Sequence, residues 1–176
     1  LEALADPASL FIIRRTGGIP AGAAVTPVFE GSRVFMVEIQ ALTVPAKAAL
    51  SRVYSDKIDS ARVSRVAAVL EKRAGIRFSD QDIYINVAGG MRLTESAVDA
   101  ALAAALYSAR TGIPLKTGVA VTGELSLAGE IRPVNRLKQR AKASQTLGFT
   151  HLVAPEKETG VQNVSDIQSL IKTLFS

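Results

Sequence analysis

The sequence predicts an α/β fold, in its α+β form, with helices packed on a mixed sheet. Three observations carry this. Runs rich in Val, Ile and Phe alternate with segments of helical period along most of the chain. Two adjacent strand-type runs near the start are joined by a tight turn, which makes part of the sheet antiparallel. The later strand-type runs are separated by helices, an order that builds helix layers against one sheet.

The elements follow in chain order. "DPASLFIIRRTGGIPAG" mixes Pro and Gly with one short apolar run. Residues 1–21 therefore read as a linker docking onto a neighbour, with the domain proper at 22–176. "AAVTPVFEG" and "SRVFMVEIQAL" form a hairpin through Glu30-Gly31-Ser32. From Lys57 to Ala74 the chain is an amphipathic helix, with Ile58, Ala61, Val66, Val69 and Leu70 largely on one face. Gly75 stops it. "DIYINVAGG" is a buried strand ending in a Gly pair. Thr94 opens an alanine-rich helix that Gly112-Ile113-Pro114 ends. "GVAVTGELSLAGEIRPV" reads as two strands around Ala128-Gly129. A basic helix runs from Asn135 to about Leu147, "HLVAPE" is a short strand, and "SDIQSLIKTLF" is a closing helix capped by Ser165 or Asp166.

Composition bounds the chemistry. With 176 residues, 48% hydrophobic and 21% charged, the chain suits one domain with a sizeable core. Aromatics are only 5%, so that core is aliphatic. The absence of cysteine excludes disulfides, thiolate catalysis and cysteine-ligated zinc. The single histidine, His151, cannot build a multi-histidine metal site. A net charge of +5 points toward a polyanionic partner, but only if the charge is grouped. No apolar run is long enough for a transmembrane helix, and the first residues do not read as a signal peptide. A cytoplasmic protein with no membrane partner is expected, and the lack of an initial Met suggests a fragment of something longer.

Gly89-Gly90 follows a strand, yet neither G-x-x-x-x-G-K-[ST] nor G-x-G-x-x-G is present, so a tight turn is the better reading. Asp80 and Asp82 lack a third cation ligand. No cofactor or metal is expected in this chain.

"DIYINVAGG", a small-residue helix ending in "TGIPL", then "VAVTGELSLAGEIRPVNRLKQR" and "LGFTHLVAPE" together resemble the proteolytic domain of Lon-type proteases, over roughly 82–156. The resemblance implies the Lon-like fold, related to the second domain of ribosomal protein S5. Carried over by counting, the family's catalytic serine falls on Ala97 and its general-base lysine on Arg140. Alanine has no nucleophile, and arginine keeps its proton at any pH a protein survives. A shifted dyad would need Ser96 with Lys138, but one residue along a helix turns a side chain by about 100°. Catalytic residues are therefore expected to be none.

"DPASLF…GAAVTPVFEGSRVFMVEIQAL", "DQDIYINVAGGMRLTES" and "GELSLAGEIRPVNRLKQRAKASQTLGF" resemble the C-terminal region of the bacterial RadA (Sms) DNA-repair family, over almost the whole chain. That resemblance implies a noncatalytic Lon-like domain behind a zinc module and a RecA-like ATPase. ATP, magnesium and zinc would then belong to those upstream parts. It further implies single-stranded or branched DNA as partner, a recombinase filament reached through the parent protein, and a hexameric ring.

Arg132, Arg136, Lys138, Arg140 and Lys142 crowd one region as the candidate nucleic-acid contacts. Arg132, Arg136 and Arg140 fall at successive i, i+4 steps, and a helix that begins before Arg136 puts at least Arg136 and Arg140 on one face, where like charges repel mildly and an opposing anion is stabilising. DNA phosphates would supply that anion. A solvated helix face, or salt bridges to a neighbouring subunit, are the alternatives the residues leave open.

Overall fold

The computed structural model describes residues 9–13 and 15–176; residues 1–8 and Arg14 of the expected docking segment 1–21 lie outside the described residues. The hairpin is the centre of the sheet. β2 (Ala23–Glu30) and β3 (Arg33–Pro45) pair antiparallel from Ala23↔Gln40 to Glu30↔Arg33, leaving Gly31 and Ser32 as the loop. Such a two-residue connection matches the twist of the strands it joins.

The rest of the sheet is added on both sides of this pair. β5 (Gln81–Val87) runs antiparallel to β3, and β4 (Val53–Ser55) runs parallel to β5. On the other side, β6 (Val119–Val121), β9 (His151–Ala154) and β10 (Val161–Asn163) continue in parallel from β2. The order is β10-β9-β6-β2-β3-β5-β4. β1 (Leu10–Phe11) pairs parallel with Met36 and Val37, a stretch of β3 ahead of the residues that β5 occupies. Part of segment 1–21 is thus a strand of this sheet. A separate hairpin joins β7 (Glu124–Leu125) to β8 (Ile131–Arg132). The expected α/β fold with a mixed sheet is the observed one.

Strand alternation sorts the helices. Ala24 and Val28 of β2 and Val37, Ile39 and Ala41 of β3 enter the large core, with α1 (Ser60–Ala74), α2 (Asp99–Thr111) and α4 (Ile167–Phe175). Val25 and Met36 point the other way, into a smaller core with Leu137 and Ala141 of α3 (Leu137–Thr146). α2 is buried on all sides from Ala100 to Leu106, which its alanines permit by letting neighbours approach closely.

The helix ends differ from expectation in instructive ways. α1 begins at Ser60, with Asp59 as its cap accepting the Ala61 N–H, and Gly75 closes it in the left-handed region. Ile58 is buried from the preceding loop, while Ala61 is exposed. α2 starts at Asp99, not Thr94. A single 3-10 turn, Ser96–Val98, precedes it, and Glu95 stays extended because its carboxylate is held by Phe29 and Arg140. Asp166 is the cap of α4, in a reciprocal box with Ser169.

α3 covers only part of its face of the sheet. Beyond it, Tyr54 and Tyr84, register partners on β4 and β5, stack at 4.6 Å beside exposed Leu42. The Arg15–Glu38 ion pair, 2.8 Å, closes one side of this groove, and the Glu38 hydrogen bond raises the Arg15 pKa.

The Gly pair after β5 serves packing. Gly89 has φ 77°, and a Cβ there would run into the ring of Phe11, which packs against Phe35. Gly89→Ala is expected to destabilise by about 1–3 kcal/mol, measured by urea unfolding. An unchanged midpoint would show that Phe11 yields without cost.

Candidate functional site

Arg140 lies on the first full turn of α3 and its side chain turns inward, reaching 0% exposure. A guanidinium without water must bond all its N–H groups within the protein. Nε donates to the Asn135 carbonyl at 2.9 Å and Nη1 to the Pro27 carbonyl at 2.8 Å. Nη2 donates to Asn135 Oδ1 at 2.6 Å and to Glu95 Oε1. The second oxygen of Glu95 accepts the Phe29 N–H at 2.9 Å. The Phe29 ring completes the site: Arg136 and Arg140 stand over it at 4.7 and 4.8 Å.

This corrects two expectations. Arg140 offers no charge to an outside anion, because its side chain is buried, each of its three nitrogens is bound to an internal acceptor and its charge faces Glu95. Nor does the helix begin before Arg136, so Arg136 and Arg140 do not share a helix face. Arg132 is in β8, and Arg136 sits before α3 in the left-handed region, φ 53°. The exposed members of the group are Arg132, Arg136, Lys138 and Lys142. Lys138 and Lys142, one helical step apart on α3, have no carboxylate partner among the described residues.

Ala97 is buried in the 3-10 turn, and its carbonyl accepts the Gly123 N–H at 3.0 Å and the Thr122 hydroxyl at 3.3 Å. The Gly123 carbonyl in turn accepts the Ala100 N–H at 2.9 Å. With φ 155°, Gly123 leaves no space for a Cβ, which would meet Ile131. Two residues on, the Leu125 N–H donates to Asp99 Oδ2 at 3.1 Å. Asp99 is itself buried and ion-paired to Arg62 at 2.6 Å. Burial raises the Asp99 pKa, opposed by the Leu125 N–H and by Arg62. The Thr122–Leu125 loop is therefore clamped to the start of α2 at several points.

Ala97 supplies no nucleophile here and Arg140 no base. Ser96 is half-buried, Lys138 is exposed, and no hydrogen bond joins them. His151 is exposed at the start of β9, beside the Thr150 hydroxyl at 3.1 Å. Asp82 accepts the Arg52 N–H at 2.8 Å, a backbone tie and not a cation ligand. Among the described residues no group of acidic or histidine side chains is placed to hold a metal ion. No helix among them is long and apolar enough to cross a membrane.

Sequence reasoning missed Glu95, Phe29, Asn135 and the Arg62–Asp99 pair. Glu95 and Arg140 are 45 residues apart and Arg62 and Asp99 37 apart, so no local spacing announces them.

The family model described as "Subunit ChlI of Mg-chelatase" matches residues 42–158. The chain is similar to the DNA repair protein RadA of Treponema pallidum, with 65% identity over 155 residues, 88% of this chain and 34% of that protein. It is 39% identical over 160 residues to DNA repair protein RadA of Halalkalibacterium halodurans, 91% of this chain and 35% of the relative. Against DNA repair protein RadA of Streptococcus pneumoniae it is 36% identical over 180 residues, 97% of this chain and 43% of the relative. The RadA resemblance carried by the motifs is thus borne out. The chain spans about a third of the length of the first of these relatives.

Removing one partner of a buried ion pair leaves the other uncompensated, so Arg140→Ala is expected to cost about 3–5 kcal/mol. Asp99→Ala, which strands Arg62 and the Leu125 N–H, is expected to cost about 1–3 kcal/mol or more. Urea unfolding checks both, and near-native stability of Arg140→Ala would show that the network contributes little.

Proposed function

The chain belongs to the ChlI family, in the form found in RadA-type DNA repair proteins, and from that premise we propose that it is a noncatalytic Lon-like domain with a DNA-contacting surface. The observation that carries this reading is the buried Arg140–Glu95–Asn135 network. It fills the place where the Lon resemblance puts a proton-accepting lysine, with a cation that cannot accept a proton. Ala97, at the position of the nucleophile, leaves the second half of the chemistry without a hydroxyl.

Around that sealed position the protein presents charge. Arg132, Arg136, Lys138 and Lys142 are exposed, and Lys138 and Lys142 carry no counter-charge among the described residues. These are suited to phosphates of single-stranded or branched DNA, whose binding releases counterions. The ring beside them, Phe29, is taken by Arg136 and Arg140, and no other aromatic stands among them in the described residues, so contact is to the backbone and without base reading. In this reading the domain also acts as an assembly scaffold for a hexameric ring in the cytoplasm. ATP hydrolysis, with its magnesium, and zinc binding belong to other parts of the parent protein, which meets the recombinase filament as a whole.

The test is DNA binding by the domain and its oligomer across a salt series. Lys138→Glu with Lys142→Glu is expected to weaken binding and to flatten log K against log salt by about 0.7 for each phosphate no longer neutralised. No binding at low salt removes the DNA role. Dissociation of an assembly by these substitutions, seen by sedimentation, makes the basic face a subunit interface instead.

A further inference from the structure

β4 and β5 are neighbouring parallel strands, and beyond their carboxyl ends lies a polar cavity of about 520 Å³. The volume falls within the range of roughly 300–1,000 Å³ found for small-molecule sites.

The cavity is framed by the loop after β4, the loop after β5 and the first turns of α1. The two loops are tied together, the Leu93 N–H donating to the Lys57 carbonyl at 2.9 Å and Arg92 Nη1 to the Asp56 carbonyl at 3.1 Å. Four cations line it: Lys57, Arg62, Arg65 and Arg92. Among the described residues two of the four have a carboxylate nearby, and the closer pair is Arg62 with buried Asp99 at 2.6 Å. Arg65 shares the same carboxylate through space, without a hydrogen bond or an ion pair. Arg92 bonds a carbonyl, which leaves its charge unmatched. Lys57 approaches Asp56 at 3.5 Å, but the Asp56 side chain is 83% exposed and the pair is screened. Asp59, the remaining acid, accepts the Ala61 N–H as the helix cap. The helix end is therefore already capped, and the excess of charge lies on the arginines.

We propose that this cavity binds a phosphate group, of a nucleotide or of a nucleic-acid backbone. Arg65 and Arg92 supply planar forks of donors suited to phosphate oxygens. Lys57 adds a point charge, and the hydroxyls of Ser60 and Thr94 lie on the lining. Arg62 stands behind, fixed by Asp99, as a positioning residue. The site does not rest on the DNA-contacting role of α3, which packs on the opposite face of the sheet.

The full chain, labelled with 15N, is titrated with inorganic pyrophosphate, ADP and a short oligothymidylate while its amide spectrum is followed. Pyrophosphate is expected to shift the amides of residues 56–60 and 92–94. Arg65→Gln with Arg92→Gln, both on exposed side chains, is expected to weaken this binding at least about tenfold, since each charge-assisted bond to phosphate is a strong one. ADP binding more tightly than pyrophosphate identifies a nucleotide site; oligothymidylate shifting the same amides and competing with pyrophosphate identifies backbone phosphate. Shifts from none of the three probes, or shifts that persist unchanged in the double variant, overturn the proposal. Lys138→Glu with Lys142→Glu keeps the two readings separable, because it leaves pyrophosphate binding intact whatever it does to DNA.

Discussion

A guanidinium taken out of water cannot discard its proton, and the structure around Arg140 is arranged by that constraint. The idealised cost of moving such an ion into a low-dielectric interior is about 20 kcal/mol, and several kcal/mol survive relaxation. Three segments contribute to offsetting it. Glu95 supplies the counter-charge, and to do so its backbone stays extended and delays α2 to Asp99. Pro27 gives a carbonyl from β2, while the Phe29 N–H two residues on anchors the far oxygen of Glu95. Asn135 provides both backbone and side-chain acceptors, which requires the chain to turn sharply before α3. Arg136 accepts a left-handed conformation at that turn, unfavourable for a residue with a Cβ by roughly 1–2 kcal/mol.

The same network determines which charges remain outside. α3 enters the sheet through Leu137, Arg140, Ala141 and Ser144, a buried stripe that includes a cation where an apolar residue would be ordinary. Lys138 and Lys142 are thereby turned to solvent. On the other side of the sheet, Asp99 has the corresponding position: a buried charge, paired with Arg62, that clamps a loop through Leu125. Among the described residues the α1–α2 face thus carries the Arg62–Asp99 pair, and the α3 face carries Arg140–Glu95 and, further along β3, Arg15–Glu38. The sheet between them keeps the two positive regions apart.

What the sequence made legible was periodic or local. The hairpin turn, the glycine stops after α1 and α2 and the Asp166 cap each depend on residues within a few positions of one another, and each is where it was expected. The same is true of the fold class, which rests on the order of elements. The inward turn of Arg140 was not legible. A helix reading Leu-Lys-Gln-Arg-Ala-Lys presents the same letters whether its arginine meets water or a glutamate brought from 45 residues away. The left-handed Arg136 was hidden for a related reason, because a strained backbone is justified by its surroundings and not by its own side chain. Register, too, is a property of pairing: Tyr54 and Tyr84 stack because β4 and β5 align at that residue.

On the proposed reading the Thr122–Arg140 stretch keeps its shape without the chemistry that the Lon resemblance attaches to it, and the hydrogen bonds supply a reason. Thr122 and Gly123 bond to the main-chain oxygen of Ala97. Those bonds are indifferent to the side chain at 97, so a methyl group there supports the loop as well as a hydroxyl would. Position 140 is different, because its side chain holds the structure together. A lysine has three donors on a single nitrogen and cannot span Asn135, Pro27 and Glu95 as a planar fork with donors on three nitrogens does. At position 97 the backbone suffices and these bonds place no demand on the side chain. At the other the side chain has become a structural tie, and the charge that would need to be neutral for proton transfer is held permanently in place.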